Sequence, residues 1–254
     1  MQAVMENGQT IVYQRCGQGA ALVLVHGFPL DGAMWQPLAD LLAGHFELII
    51  PDLPGFGASP TLPDGASMDA LASSLVGLLD VLGIPQAYLA GHSMGGYVVL
   101  ALAQAHPGRV LGLALLGSQA MADSPERQAA RFVTAEQITQ AGVSAVLGMA
   151  EKLSATPALV PVLREIILRQ NAAGLAAAQI GMAGRADLTP WLAGYQLPLV
   201  LVHGSADELI SPERARELAQ MVAHAAFFEL PGVGHTPMLE DPDSTARALL
   251  GLLD

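Results

Sequence analysis

The sequence predicts an α/β fold: a mostly parallel sheet with helices on both faces. Three observations lead there. Short, continuous apolar runs recur at residues 21–26 (ALVLVH), 46–51 (FELIIP), 87–90 (AYLA), 110–116 (VLGLALL) and 197–203 (LPLVLVH), the pattern of strands buried on both faces. Amphipathic helical patterns alternate with those runs, as in doubly wound sheets. The composition agrees, because 254 residues at 52% hydrophobic and 13% charged suffice for a large core and exclude a disordered chain.

Taken in order, residues 1–10 are polar and carry Glu6, with no basic stretch leading into an apolar one. No targeting segment is read there, and the cytoplasm is the expected compartment. The strand at 46–51 runs into Asp52-Leu53-Pro54-Gly55-Phe56-Gly57-Ala58-Ser59, a candidate shaping loop. A helix is predicted over 68–82, where Met68, Leu71, Leu75, Leu78, Leu79 and Leu82 share one face, with Ser67 as N-cap and Gly83 as the stop. The strand at 87–90 leads through a glycine-rich turn to a helix over 97–106. No charge occurs between Asp80 and Arg109, long enough to span a bilayer, but Gly83, Pro85, Gly91, His92, Ser93, Gly95 and Gly96 divide that stretch into strand, turn and helix. Residues 119–186 show helical pattern and no strand, with Ile166, Ile167 and Leu168 as an isolated apolar cluster. This reads as a helical insertion between strands, serving either as a pocket roof or as a structural subdomain. Core segments 1–118 and 187–254 flank it. Ser211 and Pro212 open a helix through about residue 222, and an apolar strand follows at 225–230.

Several function classes are excluded. A net charge of −12 and a single lysine, Lys152, argue against nucleic-acid binding and against docking on an anionic membrane. One cysteine, Cys16, excludes an internal disulfide and a multi-cysteine zinc site; it reads as a buried or edge thiol. There is no G-x-G-x-x-G, no G-x-x-x-x-G-K-[ST] and no H-E-x-x-H, so neither cofactor nor metal is expected.

The chemistry is concentrated at Gly91-His92-Ser93-Met94-Gly95-Gly96, a G-x-S-x-G placed between strand and helix. A serine nucleophile needs a tight turn that lifts its hydroxyl above the sheet, and glycines allow strand and helix to approach there. The hydroxyl needs a base, and the base an orienting acid. Beyond the insertion, the strand at 197–203 runs into Gly204-Ser205-Ala206-Asp207, which makes Asp207 the candidate acid, with Glu208 the neighbouring competitor. Of the histidines that follow, His224 sits near a helix end and His235 in the glycine-rich loop Pro231-Gly232-Val233-Gly234-His235-Thr236-Pro237; His235 is the preferred base. The developing oxyanion calls for backbone donors, and Met94 N–H and Phe28 N–H, with Gly27 giving backbone access, are the candidates. His26 reads as bonding loop backbone, His92 as supporting packing, His203 as structural, and His45 and His106 as helix-end residues. Trp35, Trp191, Met121, Met149 and Met182 are candidate pocket residues. Arg127, Arg131, Arg164, Arg169 and Arg185 are the cations available to an anionic substrate.

These segments together resemble the α/β-hydrolase superfamily over nearly the whole chain: His26-Gly27-Phe28-Pro29-Leu30-Asp31 with Met34-Trp35, Asp52-Leu53-Pro54-Gly55-Phe56-Gly57, the serine turn, and the Asp207 and His235 loops. Gly184-Arg185-Ala186-Asp187 resembles the 3-oxoadipate enol-lactonase-like branch and small carboxylesterases. The resemblance implies an eight-stranded, mostly parallel sheet, a small helical cap after the sixth strand, a Ser93–His235–Asp207 triad and an oxyanion hole at Phe28 and Met94. It implies a serine hydrolase of small esters or lactones. Carbon–carbon hydrolysis, acyl transfer or perhydrolysis on the same triad, and low-turnover ligand binding, are the alternatives. A small-molecule ester or lactone is the expected partner, with no nucleic acid and no membrane, and the oligomeric state is left open.

Overall fold

The computed structural model describes residues 1–5 and 8–253; Glu6 lies outside them. Eight strands form one sheet in the order β1-β2-β4-β3-β5-β6-β7-β8: β1 (Gln2–Val4), β2 (Thr10–Gly17), β3 (Ala20–Val25), β4 (Phe46–Pro51), β5 (Ala87–His92), β6 (Val110–Leu116), β7 (Leu199–Gly204) and β8 (Ala226–Leu230). β1 and β2 are antiparallel to their neighbours, and β3 through β8 are mutually parallel. The apolar runs are the parallel strands, and β7 is buried along its whole length, as a strand covered on both faces must be.

Helices cover the sheet: α1 (Gln36–Leu42), α2 (Met68–Val81), α3 (Met94–Ala105), then α4 (Pro125–Ala141), α5 (Ala150–Leu153), α6 (Val160–Leu168), α7 (Ala172–Ala183) and α8 (Thr189–Leu192) between β6 and β7, and α9 (Pro212–Met221), α10 (Pro237–Glu240) and α11 (Pro242–Leu250). α2 begins as its sequence requires: the Ser67 hydroxyl accepts the Ala70 N–H, and Gly83 beyond its end has φ +67°, a left-handed geometry that suits glycine. In α6, Ile166 and Ile167 are buried whereas Leu168 faces solvent, so the apolar cluster is split between two faces of one helix. Cys16 is exposed, on β2 beyond the end of its pairing with β1. No helix among the described residues is long and apolar enough to cross a membrane.

The strand order decides where a site can form. From β3 the chain moves outward to β4, then returns to the other side of β3 as β5. At such a reversal the loops leaving the two central strands diverge and open a crevice at the carboxyl edge of the sheet. The loop after β3 begins at His26, and the turn after β5 holds Ser93.

The helices between β6 and β7 are seated on this edge by backbone proximity and polar ties. A Cβ on Gly174 would overlap the carbonyl oxygen of Gly55, and one on Gly181 would overlap that of Ala66. Those two glycines of α7 stand about two helical turns apart, on one face. Nearby, Arg169 Nε and Nη2 donate to Asp31 at 2.7 Å each. Gln170 Nε2 donates to Asp31 Oδ2 at 2.9 Å while its Oε1 accepts Gly57 N–H at 2.9 Å. Burial would raise the Asp31 carboxyl, but Arg169 and Gln170 hold it below the ordinary carboxylate value.

Candidate active site

Ser93 sits between the last residue of β5 and the first of α3, with φ +50° and ψ −114°. It is the only non-glycine residue with positive φ among the described residues, a strain of roughly 1–3 kcal/mol that the surroundings must hold. They do so from both sides. Ser93 N–H donates to Leu116 O at 2.9 Å, and Ser118 Oγ donates to Ser93 O at 2.8 Å. The glycines are required by crowding: a Cβ on Gly95 would collide with the Val25 carbonyl, and one on Gly91 with the backbone of Gly95. Met94 opens α3, where an N–H has no intrahelical acceptor and the helix dipole is positive.

His235 Nδ1 donates to Asp207 Oδ2 at 2.7 Å. Asp207 Oδ1 accepts the N–H groups of Leu209 and Ile210 at 2.9 and 3.1 Å. His203 Nε2 donates to Ile210 O at 2.8 Å and lies 3.1 Å from Asp207 Oδ2. Burial would raise the Asp207 carboxyl, but the His235 ring, the His203 and His235 hydrogen bonds and the Ile210 N–H together hold it far below the carboxylate range. Glu208, the competitor, is exposed. His203, structural by its sequence position, touches the acid; its place near the end of β7, four residues before Asp207, is the sequence signal for that contact. His224 lies apart, its Nε2 near Leu197 O.

The loop after β3 is held by His26. Its Nε2 accepts Leu53 N–H at 2.9 Å, so the other nitrogen donates to Gly27 O at 3.1 Å, and the ring packs edge-on against Phe56 at 5.0 Å. Burial lowers the pKa of His26 and, more strongly, that of His92.

A cavity of about 70 Å³ is lined from the sheet side by Phe28, Ser93, Tyr97, Leu209, Ile210 and His235, and from the helices between β6 and β7 by Arg127, Arg131, Met149, Gln179 and Met182. Two larger cavities, about 370 and 990 Å³, lack Ser93 and His235; Tyr97 also lines the first of them. The small cavity is the one of these three that bears on chemistry, because it joins the hydroxyl and the imidazole. Of the residues suggested for binding, Phe28, Met149 and Met182 line it, whereas Gly27, Trp35, Met121 and Trp191 do not; the Trp191 ring packs against Tyr195 instead. Trp35 corrects the expectation most clearly: it is 0% exposed, carried inward by the 3-10 turn Gly32–Trp35 into the core. Gly27 packs against the His92 ring, and Met121 acts through its carbonyl, which accepts two hydrogen bonds from Arg185. Tyr97, Gln179, Leu209 and Ile210 went unread, since only the fold brings them here. Among the described residues, no cluster of His, Cys, Asp or Glu is arranged to hold a metal ion.

Residues 20–242 match the family model described as alpha/beta hydrolase fold. A pimeloyl-(acyl-carrier protein) methyl ester esterase of Chromobacterium violaceum is 30% identical over 92% of this chain and 94% of its own length. The solved structure of a thermophilic esterase from Thermogutta terrifontis, with malate bound, is 33% identical, covers 100% of this chain and 97% of its own, and superposes with a TM-score of 0.94. An enol-lactonase from Burkholderia xenovorans is similar at 28% identity and TM-score 0.90, over 100% and 99% of the two chains.

Proposed function

The chain belongs to the alpha/beta hydrolase fold family, and on that premise we propose that it is a serine hydrolase cleaving small carboxylic esters or lactones through an acyl-enzyme. One observation carries the reading: His235 is bonded to Asp207 at 2.7 Å and shares a cavity with Ser93. The esterase and enol-lactonase relatives support the same chemistry. In this reading residues 119–186 are a cap over a core formed by 1–118 and 187–254, supported by the five residues of that segment that line the cavity.

Ser93 Oγ adds to the substrate carbonyl carbon as its proton passes to His235 Nε2. Asp207, kept ionised, fixes the ring with Nδ1–H toward itself and stabilises the imidazolium. The carbonyl oxygen takes the negative charge and is received by the N–H groups of Phe28 and Met94. The C–O bond to the alcohol breaks, and the departing oxygen takes the proton from His235. Water then adds to the acyl-enzyme, giving a proton to His235, and the acid leaves as Ser93 regains its proton.

The test is a panel of p-nitrophenyl esters from acetate to dodecanoate, with Ser93→Ala as control. Turnover should peak at short acyl chains, in keeping with the small cavity, and Ser93→Ala should lower kcat by on the order of 10⁴-fold or more. Full activity in the folded Ser93→Ala protein overturns the mechanism.

A further inference from the structure

The cavity that holds Ser93 and His235, at about 70 Å³, is far smaller than the roughly 300–1,000 Å³ of ordinary small-molecule sites. The cavity of about 370 Å³ adjoins it, and among the described residues Tyr97 is the one that lines both. The two meet along α3. Ser93 is its N-cap, Tyr97 stands about one turn on and Ala101 about one turn beyond that, so the three share a face. Ser93 lines the smaller cavity and Ala101 the larger, with the Tyr97 side chain between them.

The larger cavity suits a hydrocarbon chain on its inner side. Met68, Leu100, Ala101 and Leu188 line it and are buried, with Gln119 as the uncharged polar residue among them. Asp64 and Asp69 line it and are exposed, which puts the negative charge at its solvent side. The wall between the cavities is braced. Tyr97 is 4% exposed, and the Arg185 guanidinium stacks over its ring, 4.1 Å from the centroid, a cation–π contact. Arg185 is itself fixed: Nε and Nη2 donate to Met121 O at 3.1 and 2.8 Å, Nη1 donates to Met182 O at 3.0 Å, and Nη2 lies 2.8 Å from Asp123 Oδ1. An acyl chain extending from Ser93 along α3 therefore meets a ring that is held in place before it reaches the larger cavity.

We infer that Tyr97 sets the acyl-chain limit of the enzyme, by closing the serine cavity against a second, apolar cavity able to take a longer linear acyl chain. This rests on the ester-hydrolase reading above and names the residue that restricts the substrate of that site. The test measures kcat/KM on p-nitrophenyl acetate, butyrate and octanoate. Wild-type protein should favour the two short esters. Tyr97→Ala should raise the octanoate-to-acetate ratio by about tenfold or more, the worth of two buried methylene groups, chiefly through a lower KM for octanoate. Tyr97→Phe, which keeps the ring, should keep the wild-type ratio. Adding Ala101→Phe to Tyr97→Ala refills the larger cavity from the next turn of α3 and should remove the gain. A purely structural role of Tyr97 would lower turnover of all three esters together and leave the ratio intact. Should Tyr97→Ala fail to fold, Tyr97→Leu, which removes the ring but keeps an apolar side chain, carries the same comparison. Octanoate cleaved by wild-type protein as well as butyrate, an unchanged ratio in the folded Tyr97 variant, or a gain that survives Ala101→Phe each overturns the assignment while ester hydrolysis stands. Absence of Ser93-dependent hydrolysis of all three esters overturns the ester reading and this inference with it.

Discussion

His92 Nε2 donates a 2.8 Å hydrogen bond to the backbone carbonyl of His235, and the two rings lie 4.8 Å apart at 59°. The opposite edge of the His92 ring is packed against Gly27, where a Cβ would collide with Nδ1. One neutral ring thus locks the Ser93 turn, the loop after β3 and the loop after β8 to each other. His92 acts through His235 and is a positioning residue. His92→Leu, which cannot donate, should lower kcat by roughly 10–100-fold, as expected for misplacement of about 1 Å, with KM little changed. His92→Gln, whose amide can donate, should recover part of the loss. Steady-state kinetics on a p-nitrophenyl ester decide it; an unchanged kcat in His92→Leu shows that other contacts position His235.

The same burial makes stability depend on pH. His92 and His26 both have pKa values lowered by burial, whereas in the unfolded chain each titrates near the ordinary value of about 6.5. Below that pH the unfolded chain binds protons that the folded one refuses. Stability is therefore fully present above about pH 6.5 and falls as pH drops toward the folded values, by up to about 1.4 kcal/mol per pH unit for each ring. Asp207 and Asp31, also lowered, add a further loss only once pH enters the carboxylate range. Urea unfolding at pH 7.5, 6.5 and 5.5 reads the slope. It should be shallower in His92→Gln; a flat profile across that range counts against neutral burial of the two histidines.

Much of this was legible in the sequence because it is local. The six parallel strands announce themselves as apolar runs, and the Ser93 turn carries its own reason for two glycines, Gly91 and Gly95. β1 and β2 did not: their pattern alternates, half exposed, and what makes them strands is pairing with each other and with β4. Trp35 departs from the sequence expectation for a related reason. Its neighbours His26 to Leu30 line the sheet edge, but the Asp31-capped turn rotates the next residues inward, which no spacing rule conveys. His203 and the two cavity arginines are long-range facts. Arg127 and Arg131 could be named as available cations, but only the seating of α4 and α7 over the sheet edge brings them to Ser93.

That seating depends on two glycines. α7 approaches the core so closely that Gly174 touches the backbone at Gly55 and Gly181 that at Ala66. In an exposed helix, glycine to alanine stabilises; here the added methyl meets carbonyl oxygens that cannot move independently. Gly174→Ala and Gly181→Ala should each destabilise by roughly 1–3 kcal/mol. Both should also reduce activity, because Gln179 and Met182 on the same helix line the cavity. Thermal unfolding and ester turnover test this together; a raised Tm in either variant indicates that α7 can lift without loss.

The final prediction concerns Glu240, which had no part in the sequence reading and yet braces His235 on both sides. Its Oε2 accepts Gly234 N–H at 3.0 Å and Ala155 N–H at 2.9 Å. Its Oε1 accepts Thr236 N–H at 3.2 Å and Thr236 Oγ1–H at 3.1 Å. One carboxylate therefore ties the residues flanking His235 to the segment between α5 and α6. Glu240→Gln is nearly isosteric, but its NH₂ must face N–H groups that now lack an acceptor. Each donor left unsatisfied in partial burial costs about 1–3 kcal/mol, so the loop should shift to solvate them. Since Gly234 and Thr236 move with His235, kcat should fall by roughly tenfold or more, and Tm should fall with it. Glu240→Ala, which removes the brace but admits water, should lose comparable activity with less uniform loss of stability. A Glu240→Gln protein with wild-type kcat would mean that Asp207 and His92 alone hold His235 in register with Ser93, and that the Glu240 brace serves only to fasten the helices above it.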